Sequence, residues 1–180
     1  MKRNSKGFSL IELLIVVAII LIIAAIATPD LLKSRQAANQ ASAVGSLRTI
    51  NTAEVTYSST YTVGFSPTLV ALGPPATPPD TAAAANLIDS ILAGGAKSNY
   101  VFNYAVNPAT PATALACTVG VGGSSGTPAT PPATNVSYST SADPSLCVAG
   151  NGNYYYSDQS GVIRQNNTAI ATSADSPLAG

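Results

Sequence analysis

The stretch that decides the fold is Met1–Thr28, MKRNSKGFSLIELLIVVAIILIIAAIAT. A short basic leader ends at Gly7-Phe8, and the apolar run that follows is interrupted by one charged residue, Glu12. Basic residues before about 18 apolar ones indicate a membrane span or a cleaved export peptide. A carboxylate at the centre of a bilayer costs about 2.5–3.5 kcal/mol even on the insertion scale that penalises it least. The function therefore has to supply a partner for Glu12.

The segment Lys6–Leu13, KGFSLIEL, resembles the processing site of type IV prepilins and of the related pseudopilins of secretion machines. The resemblance covers the first 30 residues, including Pro29. It implies that a membrane aspartyl peptidase cuts between Gly7 and Phe8 and methylates the new amine of Phe8. It also implies that Glu12 pairs with the Phe8 ammonium of a neighbouring subunit and so sets the register of stacked helices. Removing either partner would leave the other charge buried alone.

Two other interpretations of the N-terminus remain open. One is an ordinary secretory signal peptide cleaved before Thr28, and the other is an uncleaved membrane anchor. Glu12 inside the apolar core and a helical pattern that continues beyond Ala27 argue against the signal peptide. All three interpretations keep the basic residues in the cytoplasm and export the rest of the chain.

The chain carries few charges, at 9% of its residues against about 25% in an average soluble domain. Lys and Arg together number 8, as do Asp and Glu, but Lys2, Arg3 and Lys6 belong to the leader. The processed chain would hold five basic and eight acidic residues, which argues against a nucleic-acid site. A surface of Ser, Thr, Asn, Ala and Pro suits close packing among identical copies, although an ordinary Ala/Thr-rich secreted protein shares this composition.

One long helix is predicted from about Ser9 to Ser58. Pro29 lacks an amide donor and is expected to kink it. Beyond Pro29 the sequence to Tyr61 contains no Pro and one Gly, Gly45. Apolar residues recur there at helical spacing, namely Ala38, Ala41, Val44, Leu47, Ile50 and Tyr57. The first half of the helix is expected in a membrane or filament core, and the second half offers its apolar stripe to a globular head.

The predicted fold class is α+β, with a long N-terminal helix packed on a C-terminal antiparallel β-sheet. The predicted parts are the leader 1–7, the transmembrane or filament-core helix 8–28, and residues 29–180 with the amphipathic half-helix and the head. Within the head, Asp80 or Thr81 is expected to cap a short helix that Gly94-Gly95 ends. The predicted elements are a helix Ala82–Ala93, strands Tyr100–Val106, Leu115–Val121 and Asn135–Ser139, and a closing hairpin Asn153–Ser157 and Val162–Gln165.

Cys117 and Cys147 are the only cysteines, and both belong to the exported part. An even count in an oxidising compartment predicts one disulfide, worth roughly 3–4 kcal/mol in the chain-entropy model. The pair loosely resembles the C-terminal disulfide loop of many pilins. No metal or other cofactor is predicted, because the sequence has no His and no CxxC motif.

The predicted function is a structural subunit of a type IV pilus rather than an enzyme. Without His, a Ser or Cys nucleophile lacks its usual base, and the acidic residues are spread singly instead of in a catalytic pair. The alternatives are a pseudopilin of a type II secretion system and, in a different class, an anchored or secreted binding module that does not polymerise.

The resemblance implies a set of partners and two locations. The partners are copies of the chain itself in a helical homopolymer, the prepilin peptidase, membrane lipid before assembly, and inner-membrane assembly machinery driven by a cytoplasmic ATPase. The chain is expected to cross the inner membrane once, with its head in the periplasm, and then to enter a cell-surface pilus.

Overall fold

The computed structural model describes residues 8–106, 124–125, 135–145 and 152–178. The chain divides into two compact units, residues 1–38 and residues 39–180. The helical elements are α1 (Leu10–Tyr61), the 3-10 helix η1 (Leu69–Leu72) and α2 (Ser90–Ala93). The strands are β1 (Ala96–Lys97), β2 (Tyr100–Val106), β3 (Ser124–Ser125), β4 (Tyr138–Pro144), β5 (Tyr154–Asp158) and β6 (Arg164–Asn166).

Helix α1 confirms the predicted long helix and contains Pro29. Its buried positions in the second unit include Val44, Leu47, Ile50 and Tyr57, as the apolar spacing predicts. The prediction was wrong for Ala38 and Ala41, which are both exposed. A residue repeated every three positions drifts about 60° around a helix with 3.6 residues per turn, so Ala41 lies on the side of α1 opposite Ile50. Ala43 and Ala53 are the alanines of α1 that are buried instead.

The sheet has the order β1-β2-β4-β5-β6, and every neighbouring pair on this path is antiparallel. The central pair, β2 and β4, aligns from Tyr100 opposite Pro144 to Val106 opposite Tyr138. The two residues of β3 pair in parallel with β2. A long helix beside an antiparallel sheet is the predicted α+β fold.

The core of the second unit lies between α1 and the face of β2 that carries Tyr100, Phe102, Tyr104 and Val106. These alternate residues are all buried, and three of the four are aromatic. The intervening residues of β2 are buried as well, so both faces of this strand are covered.

The predicted helix Ala82–Ala93 was wrong over most of its length, because only α2 is helical. The cap is neither Asp80 nor Thr81. It is Asp89, whose Oδ1 accepts the backbone N–H groups of Ile91 at 3.1 Å and Leu92 at 3.0 Å. Gly94 follows the last helical residue, as expected.

Residues 85–87 are not helical, because their backbone amides donate to carbonyls in η1 and in Gly73 directly after it. The N–H of Ala85 donates to the carbonyl of Ala71 at 2.8 Å, and the N–H of Leu87 donates to the carbonyl of Leu72 at 2.8 Å. Amides committed to a distant segment are not free for the bonds of a local helix.

The closing hairpin is confirmed as β5 and β6. The N–H of Gly161 donates to the carbonyl of Asp158 at 2.9 Å across its turn. The strand predicted at Asn135–Ser139 is present as β4, which begins at Tyr138 and runs on to Pro144. The strand predicted at 115–121 lies outside the described residues.

Thr62 follows the last residue of α1 in a left-handed conformation, with φ of 56°. Its N–H donates to the carbonyl of Ser58 at 3.2 Å, which is the bond of a helix C-cap. A β-branched residue is disfavoured at this φ, whereas glycine is at home there.

Replacing Thr62 by Gly is therefore expected to raise the free energy of unfolding by about 1 kcal/mol. The measurement is urea unfolding of the full chain in detergent micelles. The matched control is Thr52→Gly, at an exposed position inside α1, which is expected to lower stability by a few tenths of a kcal/mol. Equal destabilisation by both changes would contradict the argument.

Candidate functional site

The first unit presents a long, mainly apolar surface that includes the charged residue Glu12. Every residue from Phe8 to Arg35 is exposed. Helix α1 is long and apolar enough to cross a membrane, by length and composition. An apolar surface of this extent is typical of a segment that lipid or other protein covers. The sixteen exposed large apolar residues are Phe8, Leu10, Ile11, Leu13, Leu14, Ile15, Val16, Val17, Ile19, Ile20, Leu21, Ile22, Ile23, Ile26, Leu31 and Leu32.

Glu12 has a partner in its own chain. The backbone N–H of Ser9 donates to Oε2 of Glu12 at 3.0 Å, while the carbonyl of Ser9 accepts the N–H of Glu12 at 3.1 Å. In a capping box, which has the sequence Ser-x-x-Glu at the start of a helix, the Glu side chain accepts the backbone N–H of the capping Ser. The contact between Ser9 and Glu12 is this bond. A negative charge there also interacts favourably with the helix dipole. The Ser9-to-Glu12 spacing was the signal for this local role, which was not predicted.

Helix α1 continues through Pro29 with altered main-chain bonding. Pro29 has no N–H to give to the carbonyl of Ala25 four residues earlier. The hydroxyl of Thr28 donates to the carbonyl of Ala24 at 2.7 Å, a bond that often bends helices. The kink at Pro29 stays a prediction.

Of the remaining predicted site residues, Phe8 is the one within the described ranges. Phe8 is 79% exposed. Gly7, Cys117 and Cys147 lie outside the described residues, so the cleavage position and the disulfide stay predictions.

The head buries a second acidic residue of α1, Glu54, completely. Its Oε2 accepts the N–H of Ser66 at 2.9 Å, and its Oε1 accepts the hydroxyls of Tyr104, at 2.6 Å, and of Ser66. Burial raises the pKa of the Glu54 carboxyl, and the hydrogen bonds from Ser66 and Tyr104 offset this only in part. Glu54 thus joins α1, the loop that follows it and β2.

Glu54 was not predicted, although the sequence holds a signal for it. It lies four residues after Ile50 and three before Tyr57, which is the spacing of the buried stripe of α1. A charged residue at a stripe position indicates a buried polar partner.

A third acidic group, Asp143 of β4, is also fully buried. Its Oδ2 accepts hydrogen bonds from Nδ2 of Asn103 at 2.9 Å and from the hydroxyl of Ser141 at 3.0 Å. Its Oδ1 has no hydrogen-bond partner. Burial raises the pKa of Asp143 to about 6.

Within the described residues, neither buried carboxylate has a cation beside it. The ion pair formed within the described ranges joins Lys97 to Asp89 at 2.8 Å. Outside those ranges, Lys and Arg occur only in residues 1–7. The described part of the chain also holds no group of three His, Cys, Asp or Glu that could bind a metal ion.

The N-terminal sequence is shared with known proteins. The family model for the prokaryotic N-terminal methylation motif matches residues 2–28. The type IV wide pilus major component PilA4 of Thermus thermophilus is 65% identical over 37 residues. The N-terminus of this chain is therefore similar to that of type IV pilins. No solved structure matches this pilin-like chain.

The match to PilA4 spans 21% of this chain and 28% of the length of PilA4. Most of this pilin-like chain and most of PilA4 therefore lie outside the match.

The two buried acids predict an unusual pH dependence for the pilin-like head. Each carboxyl holds its proton more tightly in the folded chain than in the unfolded one, so the folded state gains stability as the pH falls. The shift of Asp143 to about 6 predicts a gain of about 2–3 kcal/mol between about pH 6 and pH 4. Asp89 acts in the opposite direction. The hydrogen bond from Lys97 lowers the pKa of Asp89, so the stability that Asp89 contributes is lost below about pH 4.

The test is the free energy of urea unfolding of the full chain in micelles, measured from pH 7 to pH 4. The double variant Glu54→Gln/Asp143→Asn keeps both side-chain shapes and is expected to give a flat profile over that range. A wild-type profile that falls on acidification, or one that matches the variant, would show that the buried acids do not control stability.

Proposed function

We propose that this pilin-like chain is a structural subunit of a type IV pilus, which polymerises through residues 8–28 after its leader is removed. The observation that carries the proposal is the row of exposed apolar side chains on a helix whose sequence holds the methylation motif. Such a surface suits lipid before assembly and other helices of the same kind afterwards.

Assembly of these helices relies on close packing. Moving from lipid to a helical bundle buries little additional apolar surface from water, so van der Waals contact supplies the attraction. Small residues let helix backbones approach each other, and α1 has Ala18, Ala24, Ala25 and Ala27 in this part.

The proposed role of Glu12 is to set the register between neighbouring helices. Cleavage after Gly7 would give Phe8 a free, N-methylated amine that is positively charged. The contact with the Ser9 N–H holds the Glu12 carboxylate in the first turn, near that end of the chain. Pairing with the Phe8 ammonium of a neighbour would then neutralise both charges at one stagger only.

The proposed partners follow from this role. They are a prepilin peptidase that cuts and methylates, inner-membrane assembly machinery with a cytoplasmic ATPase, and further copies of the chain. The subunit would cross the inner membrane once before assembly and belong to a surface pilus afterwards.

A pseudopilin of a type II secretion system would share the same N-terminus. The likeness to a protein named as a pilus component supports the pilus. Abundant long surface fibres would favour the pilus, and loss of protein secretion on deletion would favour the pseudopilin.

Replacing Glu12 by Ala is expected to leave cleavage intact and to lower the yield of sheared surface filaments at least tenfold, because the Phe8 ammonium of a neighbour would be stranded. Filaments are quantified by electron microscopy and by immunoblot of the sheared fraction. The matched control is Asp30→Asn, which removes an exposed acidic charge of the same helix and is expected to assemble normally. Wild-type yield from Glu12→Ala would refute the register role.

The processed N-terminus tests the wider proposal. Mass spectrometry of the purified protein is expected to find N-methylated Phe8 as the first residue. A chain that begins at Met1 would indicate an uncleaved anchor, and one that begins at Thr28 would indicate a secreted module.

A further inference from the structure

An open groove of about 330 Å³ lies along α1 within the head, lined by Arg48, Thr49, Thr52, Ala53, Thr56 and Leu87. The three threonine hydroxyls are already bonded. They donate to the carbonyls of Gly45 at 3.1 Å, of Arg48 at 3.0 Å and of Thr52 at 3.0 Å, respectively. A second protein surface that covers these side chains therefore leaves no hydroxyl without a partner. Removing water from the groove then costs little free energy.

Arg48 is the unpaired cation of this groove. It is exposed, and no hydrogen bond or ion pair joins it to another side chain of the described residues. The other two cations of the head have partners. Lys97 pairs with Asp89 at 2.8 Å, and Nη1 of Arg164 donates to the carbonyl of Asp175 at 2.9 Å.

Asp80 is the matching unpaired acid. It is exposed in the segment between η1 and α2, and no contact joins it to another described side chain. Each remaining acid of the head is either buried or accepts a hydrogen bond from its own chain, namely Glu54, Asp89, Asp143, Asp158 and Asp175. The undescribed internal segments contain no Asp, Glu, Lys or Arg.

We propose that the groove is a contact between copies of this chain, in which Arg48 of one subunit pairs with Asp80 of another. The inference rests on the proposed function. A second copy is the occupant because it supplies an unpaired acid, Asp80, for the unpaired Arg48. The contact joins two different surface patches, so it is heterologous and repeats from subunit to subunit. Heterologous contacts that do not close into a ring generate helical filaments.

Gly45 supports the same surface. It is exposed inside α1, one turn before Thr49, and a Cβ built on it would meet nothing within 4 Å. Within a single subunit Ala would be the better helix residue there by about 1 kcal/mol. A glycine at this position leaves room for another backbone to approach it closely.

The experiment exchanges the two charges in the full-length protein in cells that assemble it. Arg48→Asp and Asp80→Arg are each expected to lower the yield of sheared filaments roughly fivefold, and the double variant is expected to restore at least half of the wild-type yield. Arg48→Gln is compared with Gln159→Glu, which makes the same change in net charge at the exposed hairpin turn and is expected to leave the yield unchanged. Urea unfolding in micelles checks that each head is folded.

Single variants that assemble like the wild type, or a double variant no better than the singles, would overturn the pairing while the pilus function stands. Wild-type cells without any filaments would instead overturn the proposed function. Gly45→Ala is a second test. It is expected to raise the stability of the head and to lower the filament yield, and a normal yield would show that no second backbone approaches this face.

Discussion

The constraint on which this protein depends is that the apolar side chains between Phe8 and Leu32 have to be covered by something other than water. A helix meets this demand in lipid because all its backbone groups bond within the helix. A helix also presents the same surface to another helix without rearrangement. The one charge in its first turn, Glu12, is held by the N–H of Ser9. A segment that lipid and protein can cover equally well is what a subunit that moves from membrane to filament requires.

The second half of α1 works by a different principle, because it organises a folded head. Its buried stripe packs against the aromatic face of β2, and Glu54 bonds to Ser66 and Tyr104 at the centre of that contact. A buried carboxylate held by neutral donors alone is weak evidence for stability. It does impose geometry, since a slip of α1 along the sheet would leave the carboxylate without its donors.

The surface of the head carries few charges that lack a partner within the subunit. Only 9% of the residues are charged, and inside the head nearly every charge is buried or bonded within the subunit. Arg48 and Asp80 are the exceptions, so they stand out as groups whose partners belong to another molecule. Threonine hydroxyls that bond to their own helix let the surface around Arg48 be covered without a loss of hydrogen bonds.

The sequence alone determined the elements that depend on neighbours along the chain. The long helix follows from apolar spacing without a further Pro after Pro29, and the closing hairpin follows from strand residues on both sides of the turn at Asp158–Gly161. Only the tertiary structure decided that residues 85–87 are not helical, because their amides donate to carbonyls in η1 and in Gly73. It also decided that Asp143 is buried. Each of these outcomes is set by partners distant in sequence, and the energy of such contacts leaves no local pattern from which to predict it.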